Sequence, residues 1–211
     1  MRHIRTKLVF GEEAFGKVQN AKILLLGVGG VGSFCLDCLY RSGVRDITIV
    51  DFDRYDESNQ NRQMHSEMHE GEFKVEAMKS HYPHIIAINE RITPEWVESF
   101  DFEPFDLILD AIDDMRAKLA LIQKCYPKLI SSVGSAKRLD PTKIETCSIW
   151  KTHGDPFAAK IRNELRKRKF KGDFTCIFSS EPPRIKEKGS FVAVTGSFGL
   201  AMCSLALRKL T

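Results

Sequence analysis

An α/β fold with a doubly wound, mostly parallel sheet follows from three features of the 211-residue sequence. Apolar strand-like runs alternate with helix-like runs between residues 22 and 133. The segment Gly27-Val28-Gly29-Gly30-Val31-Gly32 joins the first strand run to the first helix run. Asp51 stands nineteen residues past Gly32, at the end of the second strand run. A strand that turns through glycines into a helix start brings bare N–H groups and the positive end of the helix dipole to one point, which suits a phosphate. Asp51 is placed to accept hydrogen bonds from a ribose. This is the fingerprint of a Rossmann-like nucleotide sheet, and by itself it leaves NAD and ATP both open.

Taken in order, residues 11–18 read as a leading helix behind an N-terminal arm, residues 1–10. Lys22–Leu26 is a strand, 31–42 a helix, Asp46–Val50 a strand, 73–81 a helix and 85–88 a strand. Thr93-Pro94-Glu95 opens the next helix, with Thr93 as N-cap and proline at the first helical position. Residues 107–111 form a short buried strand, 115–126 a helix and 129–133 a further strand. After Gly134 the pattern changes. Two strand runs, 143–150 and 174–179, flank a helix capped by Asp155-Pro156, and 191–210 returns to helix. The expectation is one domain: an arm and helix (1–20), a nucleotide-binding core (21–135), and a substrate-side extension with a closing helix (136–211). The extension is expected to be smaller and antiparallel, beside the nucleotide sheet.

Composition excludes several classes. Hydrophobic residues make up 43% of the chain, enough for a core, and the net charge of +4 is too small to mark a nucleic-acid binder without a local patch. The first seven residues carry no apolar signal core, so a cytoplasmic location is expected. The longest uncharged stretch, 190–207, is interrupted by Thr195, Gly196, Ser197, Gly199 and Ser204 and reads as a buried helix rather than a membrane span. Six cysteines follow no disulfide rhythm and are expected to be reduced. Cys35 and Cys38 form a lone C-x-x-C inside the first sheet helix, where packing explains them better than zinc. His65, His69, His81 and His84 show no metal-ligand spacing.

Beyond Asp51 the sequence runs Asp53, Ser58-Asn59, Arg62-Gln63, Gly71, Lys74, then Asp110-Ala111-Ile112-Asp113. All fall in loops at the carboxyl ends of expected strands, where open α/β sheets bind ligands. Hydride transfer has no need of a second acidic residue, an arginine and a lysine converging on phosphates. Attack on an ATP phosphate does: cations neutralise developing charge and a carboxylate holds Mg²⁺. Lys74 at a helix start opposes the dipole, which a bound phosphate would offset. Asp113 has a rival in Asp114, since either can cap the following helix.

These motifs (G-x-G-G-x-G, D-x-D, S-N-x-x-R-Q, G-x-x-K-x-E and D-A-x-D) closely resemble the adenylating enzymes related to ubiquitin activation, over most of residues 1–135. The resemblance implies ATP and Mg²⁺ as cofactors, with the glycines Gly27, Gly29, Gly30 and Gly32 and the side chains Asp51, Asp53, Ser58, Asn59, Arg62, Gln63 and Lys74 around the nucleotide. It implies Asp51 on the ribose, Asn59, Arg62 and Lys74 on the phosphates, and Asp113 on the magnesium. It also implies a homodimer in which an arginine of the arm, Arg2 (with Arg5 as alternative), reaches the partner's ATP.

Within that superfamily, Gly154 to Arg162, Cys176-Ile177-Phe178-Ser179-Ser180-Glu181 and Gly189 to Leu200 resemble the tRNA threonylcarbamoyladenosine dehydratases. That branch implies a tRNA substrate and gives the basic helix carrying Arg162, Arg166, Arg168 and Lys169 a use, although such a run also reads as a solvated face. Cys176 reads as a buried strand cysteine, with a reactive thiol as the alternative. The other open functions are adenylation of the C-terminal glycine of a sulfur-carrier protein, or a non-catalytic partner that recruits a sulfur-transfer protein. Carrier-protein adenylyltransferases usually hold two zinc-binding C-x-x-C pairs, and the second half of this chain has neither.

Overall fold

The computed structural model describes residues 2–187 and 189–211. Met1, the first residue of the arm, lies outside them. Seven strands form one sheet in the order β3-β2-β1-β4-β5-β7-β6. They are β1 (Lys22–Leu26), β2 (Asp46–Val50), β3 (Ile86–Ile88), β4 (Leu107–Asp110), β5 (Leu129–Ser132), β6 (Ile144–Ser148) and β7 (Thr175–Ser179). Every pairing is parallel except that of the edge strand β6 with β7.

The strand sequences explain the layering. Alternate side chains of a strand face opposite sides, and β1 is apolar on both: Ile23 and Leu25 join one core, Leu24 and Leu26 the other. The first core is closed by α3 (Gly32–Ser42), α4 (Lys74–His81) and α8 (Val192–Leu210). The second is closed by α5 (Pro94–Ser99), α6 (Met115–Cys125) and α7 (Pro156–Lys167). Local signals set the helix starts as expected. Thr93 accepts the Trp96 N–H at 3.1 Å, and Asp155 Oδ1 accepts those of Phe157 (2.8 Å) and Ala158 (3.2 Å).

Three expectations need correction. The arm, given no secondary structure from the sequence, is helical: α1 (Ile4–Phe10) has no buried residue, and Gly11, at φ +81°, turns it into α2 (Glu12–Asn20). The extension is antiparallel as expected, through the β6–β7 pair, but it continues the main sheet rather than lying beside it. β7 adds directly to β5, and β6 pairs antiparallel on β7's far edge, so no crossover is needed between β6 and β7. The cysteines are not all free: Cys38 of α3 is disulfide-paired with Cys203 of α8, their Cα atoms 6.1 Å apart. A sequence separation of 165 hides the pairing from sequence, and it exists because α8 lies along α3. The apolar stretch near the C-terminus is a helix buried against the sheet. Among the described residues no helix is long and apolar enough to cross a membrane.

Candidate functional site

The order of the strands reverses between β1 and β4, and crevices at such switch points take ligands at the carboxyl ends of the strands. Here the glycine loop leaves β1. Gly27 sits at φ +85°, which a side chain rarely adopts, and its N–H donates to Val50 O at 2.9 Å. A Cβ on Gly32 would lie 1.9 Å from Gly27 O, so the turn closes only without one. Gly29 and Gly30 serve a different end. Their Cβ positions face Gln63 (3.7 Å) and Arg62 and Thr195 (3.2 and 3.3 Å), so their backbone walls the crevice.

Asp51 fastens this loop. Its Oδ2 accepts the Val28 N–H at 2.8 Å and its Oδ1 the Asp53 N–H at 2.9 Å. Burial pushes the Asp51 carboxyl up from its ordinary range, and Lys74 with the two N–H donors pulls it partly back. The Lys74 ammonium, nearly buried, pairs with Asp53 Oδ2 at 2.9 Å, so a carboxylate as well as any phosphate offsets its place at the start of α4.

The loop after β2 folds into a 3-10 turn, Glu57–Asn59, that carries the remaining polar groups. Arg62 donates to Ser58 O (2.7 Å) and Asn61 Oδ1 (2.8 Å), and Ser58 and Asn59 both donate to Asp56 Oδ1. Asn59 Oδ1 and Gln63 Oε1 are buried without a hydrogen-bond partner among the described residues. Buried orphan acceptors of this kind cost about 1–3 kcal/mol each unless a ligand or water serves them. Asp114, not Asp113, caps α6, accepting the Ala117 N–H at 2.8 Å, so Asp113 stays exposed at the end of β4. Among the described residues no three His, Cys, Asp or Glu side chains converge to hold a metal. A magnesium ion at Asp113 would complete its shell with phosphate oxygens and water.

Other expected residues are placed elsewhere. Arg2 lies over the ring of Tyr40, 4.8 Å from its centroid, near the far end of α3 from the glycine loop. Arg162 donates to Thr152 Oγ1 on the inner side of α7. Arg166 stacks 5.6 Å over Trp150, Arg168 donates to Gln123 Oε1 (2.6 Å), and Lys169 follows the helix at φ +55°. Gln123 is near the end of α6, just before the turn Tyr126–Lys128 that starts β5. The basic end of α7 is therefore at the amino ends of the strands, opposite the glycine loop, and is not brought together with the nucleotide residues. Cys176 is fully buried on β7, and burial pushes its thiol up, so it carries no accessible thiolate.

Two buried ion pairs were not legible in the sequence. Lys118, fully buried in α6, donates to Asp110 Oδ2 (2.6 Å) and Ser132 O (3.1 Å), while Ser131 Oγ also donates to Asp110 Oδ2 (2.6 Å). Asp110 Oδ1 accepts the Ile112 N–H at 3.1 Å, so this buried pair shapes the loop that presents Asp113. A lysine on the apolar face of α6, four residues before Ile122, was the available signal. Arg138, buried beyond β5, lies 3.3 Å from Asp155 Oδ2 and donates to Glu181 O at 2.8 Å.

The same fold and much of the sequence recur in known proteins. The chain is 39% identical over 189 residues to the tRNA threonylcarbamoyladenosine dehydratase of Bacillus subtilis, spanning 85% of this chain and 74% of that protein. It is 30% identical over 245 residues to the Escherichia coli enzyme of that name, spanning 97% and 91%. The crystal structure of E. coli tRNA N6-threonylcarbamoyladenosine dehydratase in complex with ATP matches with a TM-score of 0.92 and 33% identity, covering 99% of this chain and 93% of that one. The ThiF family model matches residues 1–211, and this chain belongs to the ThiF family.

Proposed function

We propose that this protein is an ATP-dependent tRNA threonylcarbamoyladenosine dehydratase that works through an acyl-adenylate. The observation that carries the reading is the nearly buried Lys74 ammonium, paired with a half-exposed Asp53, beside a glycine loop fastened by Asp51. A nicotinamide site has no use for a nearly buried cation there, whereas a triphosphate does. The orphan oxygens of Asn59 and Gln63 give the nucleotide's donor groups further partners. The relatives named above support tRNA as the substrate.

The modified nucleoside ends in a carboxylate, a poor electrophile. A carboxylate oxygen attacks the α-phosphorus of ATP; an O–P bond forms and the bond to pyrophosphate breaks. A neighbouring carbamoyl atom then attacks the acyl carbon and loses its proton, and AMP leaves with the carboxylate oxygen, which amounts to dehydration. The glycine loop and Asp51 orient the nucleotide, while Lys74 and Arg62 offset charge developing on the phosphates. A magnesium ion held by Asp113 would add further charge stabilisation on the phosphates.

The carrier-protein alternative is disfavoured by the cysteines. The one C-x-x-C lies in α3, and its Cys38 is spent on Cys203. A homodimer and a reach of Arg2 to the partner's ATP belong to the same reading, supported by the family resemblance alone, as does any sulfur-acceptor or carrier partner; a cytoplasmic location is supported by the lack of an apolar core in the first seven residues. The basic end of α7 is a candidate for a second, distant tRNA contact. ATP–pyrophosphate exchange that requires added tRNA carrying threonylcarbamoyladenosine tests the proposal. Exchange that instead requires a carrier protein, or no exchange at all, would overturn it.

A further inference from the structure

The segments that follow β5 and β7 are laced into one two-loop unit. Lys137 N–H donates to Gly189 O and Arg184 N–H to Lys137 O, both at 2.9 Å, and Ser180 N–H donates to Lys143 O at 3.0 Å. Arg138, only 3% exposed, ties the interior through Gly134 O, Ala136 O and Glu181 O. The Glu181 carboxylate answers by accepting the N–H groups of Leu139 (3.0 Å) and Asp140 (2.8 Å). So connected, the described residues of the two segments form a wall at the carboxyl end of the sheet rather than a trailing connection.

Lys143, Arg184, Ile185 and Lys186 of the unit are exposed, with Glu187 as an exposed acid among them, and Arg184 Nη1 lies 3.8 Å from Glu181 Oε1. The unit meets the nucleotide site directly, because Asn61 Nδ2 donates to Ser190 O at 3.1 Å. The next residue, Phe191, is 43% exposed. It begins the turn that leads to Thr195, whose N–H donates to Phe191 O (3.1 Å) and whose side chain faces Gly30. An exposed aromatic residue thus stands one helical turn from the residue that faces the glycine loop, on the segment that continues from the basic 184–186 stretch.

We propose that Phe191 is the stacking platform for the nucleoside that carries the reacting carboxylate, and that Lys143, Arg184 and Lys186 hold the phosphates beside it. The inference rests on the tRNA reading above. To bring its carboxylate to the α-phosphorus, the modified base must leave the stack of its neighbours, and an aromatic face is what replaces stacking for a splayed base. The basic end of α7, at the other end of the sheet, cannot serve the reacting nucleotide.

The test uses the full-length protein and tRNA bearing threonylcarbamoyladenosine. Phe191→Ala should raise the KM for tRNA about tenfold, the scale of one lost base–aromatic stack, with the KM for ATP unchanged. Phe191→Trp should keep activity, and its added emission over the Trp96 and Trp150 background should be quenched by modified tRNA. Arg184→Glu with Lys186→Glu should weaken tRNA binding and flatten its salt dependence. A wild-type KM for tRNA in Phe191→Ala, or unquenched emission at saturating tRNA, overturns the inference. So does loss of tRNA binding confined to a variant with Arg166→Glu, Arg168→Glu and Lys169→Glu. If the wild-type protein shows no tRNA dependence, the proposed function itself fails; if it does and these variants match it, only the stacking surface fails.

Discussion

The Lys74 ammonium and the Asp53 carboxylate meet at 2.9 Å with unequal exposure, 6% for the lysine side chain and 48% for the aspartate. The cation is set inside the wall and its counter-charge at the mouth. In the proposed reading, polyphosphate entering from the mouth would meet Lys74 already oriented; the Asp51 carboxylate fastens the glycine loop through the Val28 N–H.

Nucleotide choice follows from that arrangement. ATP with Mg²⁺ should bind and NAD should not, as read by calorimetric titration. Arg62→Ala should lose about 2–4 kcal/mol of transition-state stabilisation, by analogy with other lost charge-stabilising donors. Lys74→Ala should lose nucleotide binding as well, because two carboxylates would then face the phosphates without their cation. Full exchange activity in Arg62→Ala would remove that residue from the site.

The glycines separate folding from binding. Gly32→Ala puts a Cβ 1.9 Å from Gly27 O and should unfold the turn, lowering the melting temperature sharply. Gly29→Ala meets only Gln63 at 3.7 Å and should fold normally, yet bind ATP more weakly because the new methyl group stands in the crevice. Equal melting temperatures for the two variants would contradict this division.

Lys118→Met leaves the Asp110 carboxylate buried with no cation and should cost about 3–5 kcal/mol in urea unfolding. Adding Asp110→Leu should recover much of that loss, since a matched apolar pair removes the uncompensated charge. A single variant as stable as the wild-type protein would show that Ser131 alone suffices for Asp110.

His65, His69 and His81 form a cluster that sequence spacing did not suggest: His65 and His81 stack at 3.7 Å, and His69 Nε2 lies 2.8 Å from His81 Nε2. Burial, then His81 and His69, hold the His65 pKa below its ordinary 6.5. The unfolded chain therefore binds that proton more readily. Stability should fall as pH drops through the window beneath 6.5 and stay level above it. His81→Gln should shallow the slope in thermal unfolding followed across that window; an unchanged slope would exclude the cluster as its source.

Arg2 is stacked on Tyr40 of its own chain, away from its own glycine loop. If the arm serves a partner subunit, Arg2→Ala should be folded, dimeric and inactive. Mixing it with Lys74→Ala chains should restore activity, because one site in each mixed dimer joins a normal arm to a normal pocket. Mixed dimers that stay inactive after verified subunit exchange would confine Arg2 to its own chain.

The alternation of apolar runs, the glycine loop, Asp51, the Thr93 and Asp155 caps and the central helices were determined by the sequence, because each rests on contacts a few residues apart or on a repeating period. Arg62, Lys74 and Asp113 were legible as charged residues in loops at strand ends. What each one touches was not. Only the tertiary structure decided that Asp53 neutralises Lys74 and that Cys38 meets Cys203. It likewise paired Lys118 with Asp110 and Arg138 with Asp155, and put the basic end of α7 at the wrong end of the sheet for the reacting nucleotide. Those relationships join segments brought side by side by strand order and helix packing. No local period in the chain encodes which distant charge will share a buried site, because that depends on where the low-dielectric interior closes around it.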